Sequence, residues 1–295
     1  MERSIGSWHF RDHKEVVIMA MYLGSKKVAV TNTIEKQIPS MKAFFEAGGK
    51  CSGVKATSLE GCWQFSDTSN VENMVSMFSN SERLETIPPF DTSNATTMRY
   101  MFYYCSALNT VQLLDTSKVT DMSSMFEHSD VITIPQFDTS NVRNMNSMFC
   151  GCKSLKTIPQ LDTSNVTDMG SMFSSCWVLK TIPQLDTSKV TNMQNMFYYC
   201  INIIAIPQLD VSNVTNMNYI FNESHNIEEV HMININTNLD ISPSTKFTRE
   251  ALVEIIGNLK AQTSGTKTLT MGATNLAKLT DEDKKIATDK GWTLA

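Results

Sequence analysis

Residues 161–184 read LDTSNVTDMGSMFSSCWVLKTIPQ, and residues 185–208 continue with LDTSKVTNMQNMFYYCINIIAIPQ. The two lines keep their Met, Phe, Cys and Ile-Pro at the same places. An Asp opens seven such copies, at steps of 24, 24, 23, 24, 24 and 24 residues: Asp67, Asp91, Asp115, Asp138, Asp162, Asp186 and Asp210. Self-similarity at a fixed period of this size is typical of repeat architectures, in which each copy is one small structural unit.

One copy contains two short apolar patterns. Met169, Met172 and Phe173 stand at i, i+3 and i+4, which predicts one face of a single helical turn. The stretch 179–182 predicts a very short strand, which Pro183 ends because proline has no N–H to donate. A strand and a helical turn make one coil of an α/β repeat, and the period lies within the roughly 20–29 residues of leucine-rich repeats.

Neighbouring coils must stack, because a single coil cannot bury its apolar side chains. Each repeated position then becomes a column that runs through about seven coils, over residues 51–235. The first Met column holds Met74, Met98, Met122, Met145, Met169, Met193 and Met217. The Phe column holds Phe78, Phe102, Phe126, Phe149, Phe173, Phe197 and Phe221.

A third column mixes cysteine with serine. Its members are Cys105, Cys152, Cys176 and Cys200, with Ser81, Ser129 and Ser224 at the other places. Serine can replace a small buried thiol but cannot replace half of a disulfide. The column also lacks the paired four-ligand grouping that zinc requires. We therefore predict buried core thiols, with disulfides or metal ligands as the alternative.

The Asp-Thr-Ser-Asn tetrapeptide that opens each copy is typical of turns and caps, where short polar side chains accept nearby backbone N–H groups. We predict a ladder of structural turns. A calcium site along this edge is the alternative, although the spacing matches no known calcium loop.

The two ends of the chain lack the period, and we predict that they cap the repeats. Residues 1–50 predict a small α+β unit, with a hairpin around Gly24-Ser25 and a helix from about Ser40 to Gly48. Residues 236–295 predict a helix-strand-helix-strand cap. Its helices begin at Thr248 and Thr280, and its strands cover 266–272 and 292–295.

Composition and motifs argue against several functions. The net charge of −5 disfavours nucleic-acid binding, which requires a basic surface. No apolar run approaches the roughly 18 residues of a membrane helix, and the first residues lack the pattern of a signal peptide. None of the five histidines has metal-ligand spacing, and no catalytic motif is present. We expect no enzyme activity and no cofactor.

The repeat DTSNVTNM…MFYYC…L…IPQLD resembles the BspA-like leucine-rich-repeat family, in its Met-Phe-rich surface-protein form, over about residues 55–235. The resemblance implies a right-handed solenoid of bacterial surface proteins that serve adhesion or protein binding. The terminal KGWTL is similar to the tails of that family and of phage-encoded relatives. The segment MYLGSKKVAV is similar to strands of phage tail and baseplate proteins.

These resemblances imply a recognition, adhesion or structural module on a phage virion or a bacterial surface. A secreted or surface-anchored bacterial adhesin with no phage role is the alternative, and an enzyme is a remote one. We expect an extracellular or virion location, reached by lysis or a non-classical route.

Large aromatic residues at positions that vary between copies are the candidate ligand contacts, since Tyr and Trp supply much of the binding energy at interfaces. They are Tyr103, Tyr104, Trp177, Tyr198 and Tyr199. The alternative is that they only cover the outer loops. We expect a protein or cell-surface glycan as partner, with no nucleic acid and no membrane insertion, and an oligomer could form through residues 1–50.

Overall fold

The computed structural model describes the strand residues 6–12, 15–23 and 26–27, and residues 68–295 except 88. The chain divides into two compact units, Met1–Asn141 and Val142–Ala295. This division falls inside the region 51–235 that was predicted as one repeat domain. The predicted boundary after residue 50 lies outside the described residues.

The first unit begins with a three-stranded antiparallel sheet. Its strands are β1 (Gly6–Asp12), β2 (Glu15–Leu23) and β3 (Lys26–Lys27). Strand β2 pairs with both neighbours, so the predicted hairpin around residues 24–25 is seen in β2 and β3, whereas β1 was not predicted. The helix predicted between Ser40 and Gly48 lies outside the described residues.

Each repeat is built from consecutive tight turns. In the copy that opens at Asp162, turns span 169–172, 171–174 and 173–176, each closed by a backbone hydrogen bond of 3.1–3.2 Å. Ser171 and Ser175 have φ values of 54° and 59°. These lie in the left-handed region, which a right-handed helix cannot contain. The predicted helical turn is therefore wrong, and no helix occurs between 68 and 248 in the described part of the chain.

The predicted short strand is also wrong for most copies. Residues 179–182 form no strand, whereas the equivalent stretches of the last two copies, 203–206 and 227–230, each overlap a strand. The first of these strands is β4 (Ala205–Asp210). Strand β4 forms because β5 (Glu229–Ile233) supplies a parallel partner. Pro207 does not end β4, because the pairing register with β5 shifts between residues 206 and 209. At this irregularity the strand does not need a backbone N–H from Pro207 for pairing.

Within each unit, several backbone N–H groups that do not close turns bond to the next copy. The N–H groups of Met169, Ser171 and Phe173 donate to carbonyls 23 residues further on, at 3.0, 2.7 and 3.0 Å. Parallel bridges join copies in the first unit at 73–97 and 97–121, and in the second unit at 144–168, 168–192 and 192–216. Within each unit, neighbouring copies thus lie side by side and in register. The right-handed leucine-rich-repeat solenoid stays a prediction.

The phenylalanine column forms a stack of buried rings. Ring centroids along Phe78, Phe102 and Phe126 in the first unit are 5.6 and 5.4 Å apart. Those along Phe149, Phe173, Phe197 and Phe221 in the second are 5.9, 5.8 and 5.9 Å apart. All seven rings and all seven side chains of the first Met column are at most 3% exposed, so these columns form the core.

The cysteine column consists of buried thiols, as predicted. The five described cysteines form no disulfide: Cys105, Cys150, Cys152, Cys176 and Cys200. The Cys176 and Cys200 thiols donate to the carbonyls of Phe149 and Phe173, at 3.1 and 2.9 Å. The Ser224 hydroxyl donates to the Phe197 carbonyl in the same way, which explains why Ser and Cys alternate. Burial raises the pKa of the Cys105 and Cys200 thiols to about 12.

The Asp-Thr-Ser sequence forms the predicted turns, with a separate contact for each side chain. The Asp162 carboxylate accepts hydrogen bonds from the N–H and the hydroxyl of Ser164, at 3.0 and 2.7 Å. These bonds hold the pKa of Asp162 below its usual value. The buried hydroxyl of Thr163 donates to the carbonyl of Asp186 at 2.9 Å. The Asp thus stabilises its own turn, and the Thr ties that turn to the next copy.

The same turn occurs once more, where the sequence pattern was lost. Asp240 accepts from the N–H and hydroxyl of Ser242, at 2.9 and 2.6 Å. It lies 30 residues after Asp210, so a search at period 24 does not find it. The repeat chemistry therefore extends into the C-terminal region that was predicted to be only a cap.

The C-terminal region combines a parallel sheet with three helices. The strands are β6 (Leu239–Asp240), β7 (Lys267–Thr270) and β8 (Trp292–Leu294), in that order. The helices are α1 (Arg249–Gly257), α2 (Gly272–Leu276) and α3 (Asp281–Asp289). Thr248 and Thr280 are the N-caps, as predicted, while α2 was not predicted. None of the helices in the described part of the chain is long and apolar enough to cross a membrane.

The buried phenylalanine stack gives a stability prediction. Phe173→Ala should lower the free energy of unfolding by about 3–5 kcal/mol, because it removes a fully buried ring and leaves a cavity between two stacked neighbours. The exposed control Lys180→Ala should change it by less than about 0.5 kcal/mol. Urea unfolding of both variants measures this difference, and equal effects would contradict the inward assignment of the column.

Candidate functional site

The first unit carries a group of aromatic rings on its surface, here named the Tyr104 cluster: Tyr100, Tyr103, Tyr104 and His128, with Arg99 beside them. The centroids of Tyr103 and Tyr104 are 4.6 Å apart, and those of Tyr104 and His128 are 4.5 Å apart. The Tyr100 ring lies 5.4 Å from Tyr103. The Arg99 guanidinium lies 4.7 Å from the centre of the Tyr100 ring. Two predicted contact residues thus belong to one connected cluster.

The second unit carries the other three predicted contacts, here named the Trp177 cluster: Trp177, Tyr198 and Tyr199, with Lys153. Ring centroids are 6.2 Å apart both for Trp177 and Tyr199 and for Tyr198 and Tyr199. The Lys153 ammonium lies 4.4 Å from the centre of the Trp177 ring. The Trp177 indole N–H is buried without a hydrogen-bond partner. Lys153 therefore covers part of the Trp177 ring that the sequence predicted as a contact.

Two positions in each copy have a left-handed backbone. The first column, with φ between 54° and 59°, holds Ser76, Tyr100, Ser124, Ser147, Ser171, Asn195 and Tyr219. The second, with φ between 53° and 71°, holds Asn80, Tyr104, His128, Gly151, Ser175, Tyr199 and Glu223. The backbone conformation is the same in every copy while the side chain varies. The fold, and not the residue type, therefore sets the backbone conformation at these positions.

Tyrosine is unfavourable at such positions because of its backbone conformation. A side chain bearing Cβ costs roughly 1–2 kcal/mol in the left-handed region, and Gly or Asn adopts it more readily. Tyrosine nevertheless occupies four of these positions: Tyr100, Tyr104, Tyr199 and Tyr219. Three of them are also exposed, with Tyr104 and Tyr199 at 39% and Tyr219 at 64%. Neither backbone geometry nor burial explains these exposed rings.

The sequence missed Tyr100, His128 and Tyr219 as candidate contacts. His128 and Tyr104 share the second left-handed column, so comparing that one column across copies would have found His128. Tyr100 and Tyr219 belong to the first left-handed column, which no apolar spacing marks in the sequence. Tyr103 and Tyr198 are half-buried, so they support the exposed rings more than they extend the surface.

The described residues show no metal centre. No group of three or more His, Cys, Asp or Glu side chains in this part of the chain could hold a metal ion. His231 on β5 instead bonds to Glu254 on α1, at 2.7 Å, and this bond raises the pKa of His231. That contact joins the last copy to the helical region. The absence of enzyme activity stays a prediction.

Comparison with known proteins supports the repeat assignment. A family model described as "Mycoplasma protein of unknown function, DUF285" matches residues 40–133 and matches again at residues 129–232. The first match contains the whole Tyr104 cluster, and the second contains the whole Trp177 cluster. The two matches are consistent with the resemblance to BspA-like surface repeats. No curated protein matches the chain.

The left-handed columns give a prediction about stability. Tyr219→Asn should leave the protein as stable as the parent or more stable by up to about 1 kcal/mol, because Asn relieves the backbone cost and little burial is lost. Tyr198→Asn is the control, since this half-buried ring stands outside both columns and its removal should destabilise. Urea melts compare them, and a clear loss of stability in Tyr219→Asn would show that its ring supports the fold.

Proposed function

This chain belongs to the DUF285 family of Mycoplasma proteins of unknown function, and on that premise we propose that it is a non-enzymatic recognition module displayed outside the cell. The observation that carries the proposal is the placement of exposed tyrosines at left-handed positions. A fold that needed only its own stability would hold Asn, Ser or Gly there, as several other copies do.

The repeated scaffold suits this role. The buried Met, Phe and Cys columns keep the backbone the same in each copy, while outward positions change freely. Repeat proteins that stack in this way present extended binding surfaces, and we propose the right-handed leucine-rich-repeat solenoid as the overall form. Surface display as an adhesion or recognition protein is compatible with the family match.

The partner that fits this surface is a protein or a cell-surface glycan. A net charge of −5 disfavours a phosphate-rich ligand, whereas aromatic rings suit both apolar side chains and sugar rings. We further propose that oligomers form through residues 1–50, which would bring several binding surfaces together.

A virion component is the second candidate function. It is favoured by the likeness of MYLGSKKVAV and of the terminal KGWTL to phage-encoded proteins. The neighbouring genes distinguish the two candidates, since tail genes would favour the virion and a surface-anchoring operon the adhesin.

A cell-binding assay tests the proposed function. Each of the five sequence-predicted aromatic residues is changed to Ala, and binding of the purified variants to bacterial and host cells is compared with that of the parent. We expect a loss of at least about 1 kcal/mol of binding free energy, or roughly fivefold in affinity, at two or more positions.

Lys180→Ala, at an exposed site outside both clusters, is the matched control and should bind like the parent. Each variant must also be folded at the assay temperature, which its melting curve checks. If all five variants fold and bind like the parent, the two clusters do not form the recognition surface.

A further inference from the structure

We propose that the Tyr104 cluster is a carbohydrate-binding site that stacks a pyranose ring on Tyr104 and hydrogen-bonds its hydroxyls through neighbouring polar groups. The inference rests on the proposed function and names the ligand class for one of its two clusters. It is carried by the exposure of the Tyr104 ring, the kind of polar groups present and the rigidity of the rings.

Strongly exposed large apolar side chains are few among residues 68–141. Between residues 68 and 141, apart from residue 88, they are Tyr104 and Leu113. A stable protein interface buries about 800 Å² on each partner, with an apolar core. An aromatic platform of a few rings instead matches a small ligand that has C–H faces and polar edges.

The polar groups of the cluster suit hydroxyl groups. Arg99 offers guanidinium donors and already donates to the Tyr100 hydroxyl at 3.1 Å. Glu127 offers carboxylate acceptors and lies 4.0 Å from the His128 ring nitrogen. The guanidinium and the carboxylate are planar groups, so their donors and acceptors point in fixed directions. A few such polar groups beside an aromatic ring can fix the orientation of a ligand in an otherwise apolar site.

The rings are held in place before any ligand arrives. The backbone N–H of Tyr104 donates to the Glu127 carbonyl at 2.9 Å, and that of Tyr100 donates to the Ser123 carbonyl at 3.1 Å. The edge contacts with Tyr103 and the contact with His128 restrict the Tyr104 side chain further. Rings that are already held in place lose little conformational freedom on binding. This lower entropic cost favours the binding of a small ligand that makes few contacts.

The Trp177 cluster has a different composition and does not share this inference. Lys153 lies over its Trp ring, and aliphatic side chains are exposed in the same unit, at Val178 and Ile204. Lys153 thus occupies a face of the Trp177 ring on which a sugar ring would stack.

Titration with soluble oligosaccharides tests the proposal. The probes are hexasaccharides of glucose (β-1,4 and α-1,4) and of N-acetylglucosamine, followed by saturation-transfer NMR and calorimetry on the full chain. We expect at least one probe to bind the parent, and Tyr104→Asn to weaken it by roughly tenfold or more. Asn adopts the left-handed backbone readily, so this variant removes the ring without straining the turn. Tyr104→Phe keeps the ring and should keep most of the affinity.

Lys180→Ala is the control, because it changes an exposed side chain that lies outside both clusters. It should leave sugar binding unchanged. If no probe binds, or if Tyr104→Asn binds like the parent, the carbohydrate proposal is overturned. If the parent still binds cells in that case, the proposed recognition function stands without the carbohydrate site. If the parent binds neither the probes nor cells, both the carbohydrate proposal and the proposed function are overturned.

Discussion

The structure depends on a division of the backbone N–H groups between two directions. Within each unit, alternate N–H groups of a copy close tight turns, and the groups between them donate to carbonyls of the next copy of that unit, 23 residues further along the chain. This alternation satisfies the backbone without regular helices or strands. It also imposes the left-handed positions, because a succession of such turns needs positive φ at two residues in each copy.

The side-chain columns follow from that backbone. The two positions that follow the first left-handed residue, held by Met172 and Phe173 in the copy that opens at Asp162, are fully buried and fill the interior. The copies also interlock through polar side chains. The amides of Asn146 and Asn192, from the copies on either side, both donate to the Asp168 carboxylate, at 3.2 and 2.9 Å. Gly170 leaves the space for this contact, since a Cβ there would stand 2.7 Å from each amide nitrogen.

The sequence predicted the side-chain columns better than the backbone. Ser in place of Cys predicted buried thiols, and Asp-Thr-Ser predicted capped turns, because both depend on side-chain chemistry that one copy already shows. The helical turn was wrong because apolar residues at i, i+3 and i+4 suit a chain of turns equally well. Ser171 at positive φ carries no signal that would separate the two. The short strands failed in most copies because a strand requires a paired partner, and β4 and β5 supply one to each other in the last two copies.

The candidate site was predicted in part for the same reason. Tyr104 and Tyr199 were found because they interrupt a repeated pattern with a large ring. Tyr219 was missed because its exposure and backbone conformation are properties of the folded chain. Residue type could show which positions vary, but only the φ values show which of them carry a backbone cost.

The most direct test of this account is urea unfolding of a variant that lacks one whole copy, residues 162–185. The deletion joins Leu161 to Asp186 and keeps every column in phase, so we predict a folded protein with one cooperative transition and a modest loss of stability. A second variant, lacking only residues 162–173, puts the columns out of phase and should lose cooperative unfolding. If the in-phase deletion disrupts the protein as much as the out-of-phase one, the bonds between copies do not hold the fold together.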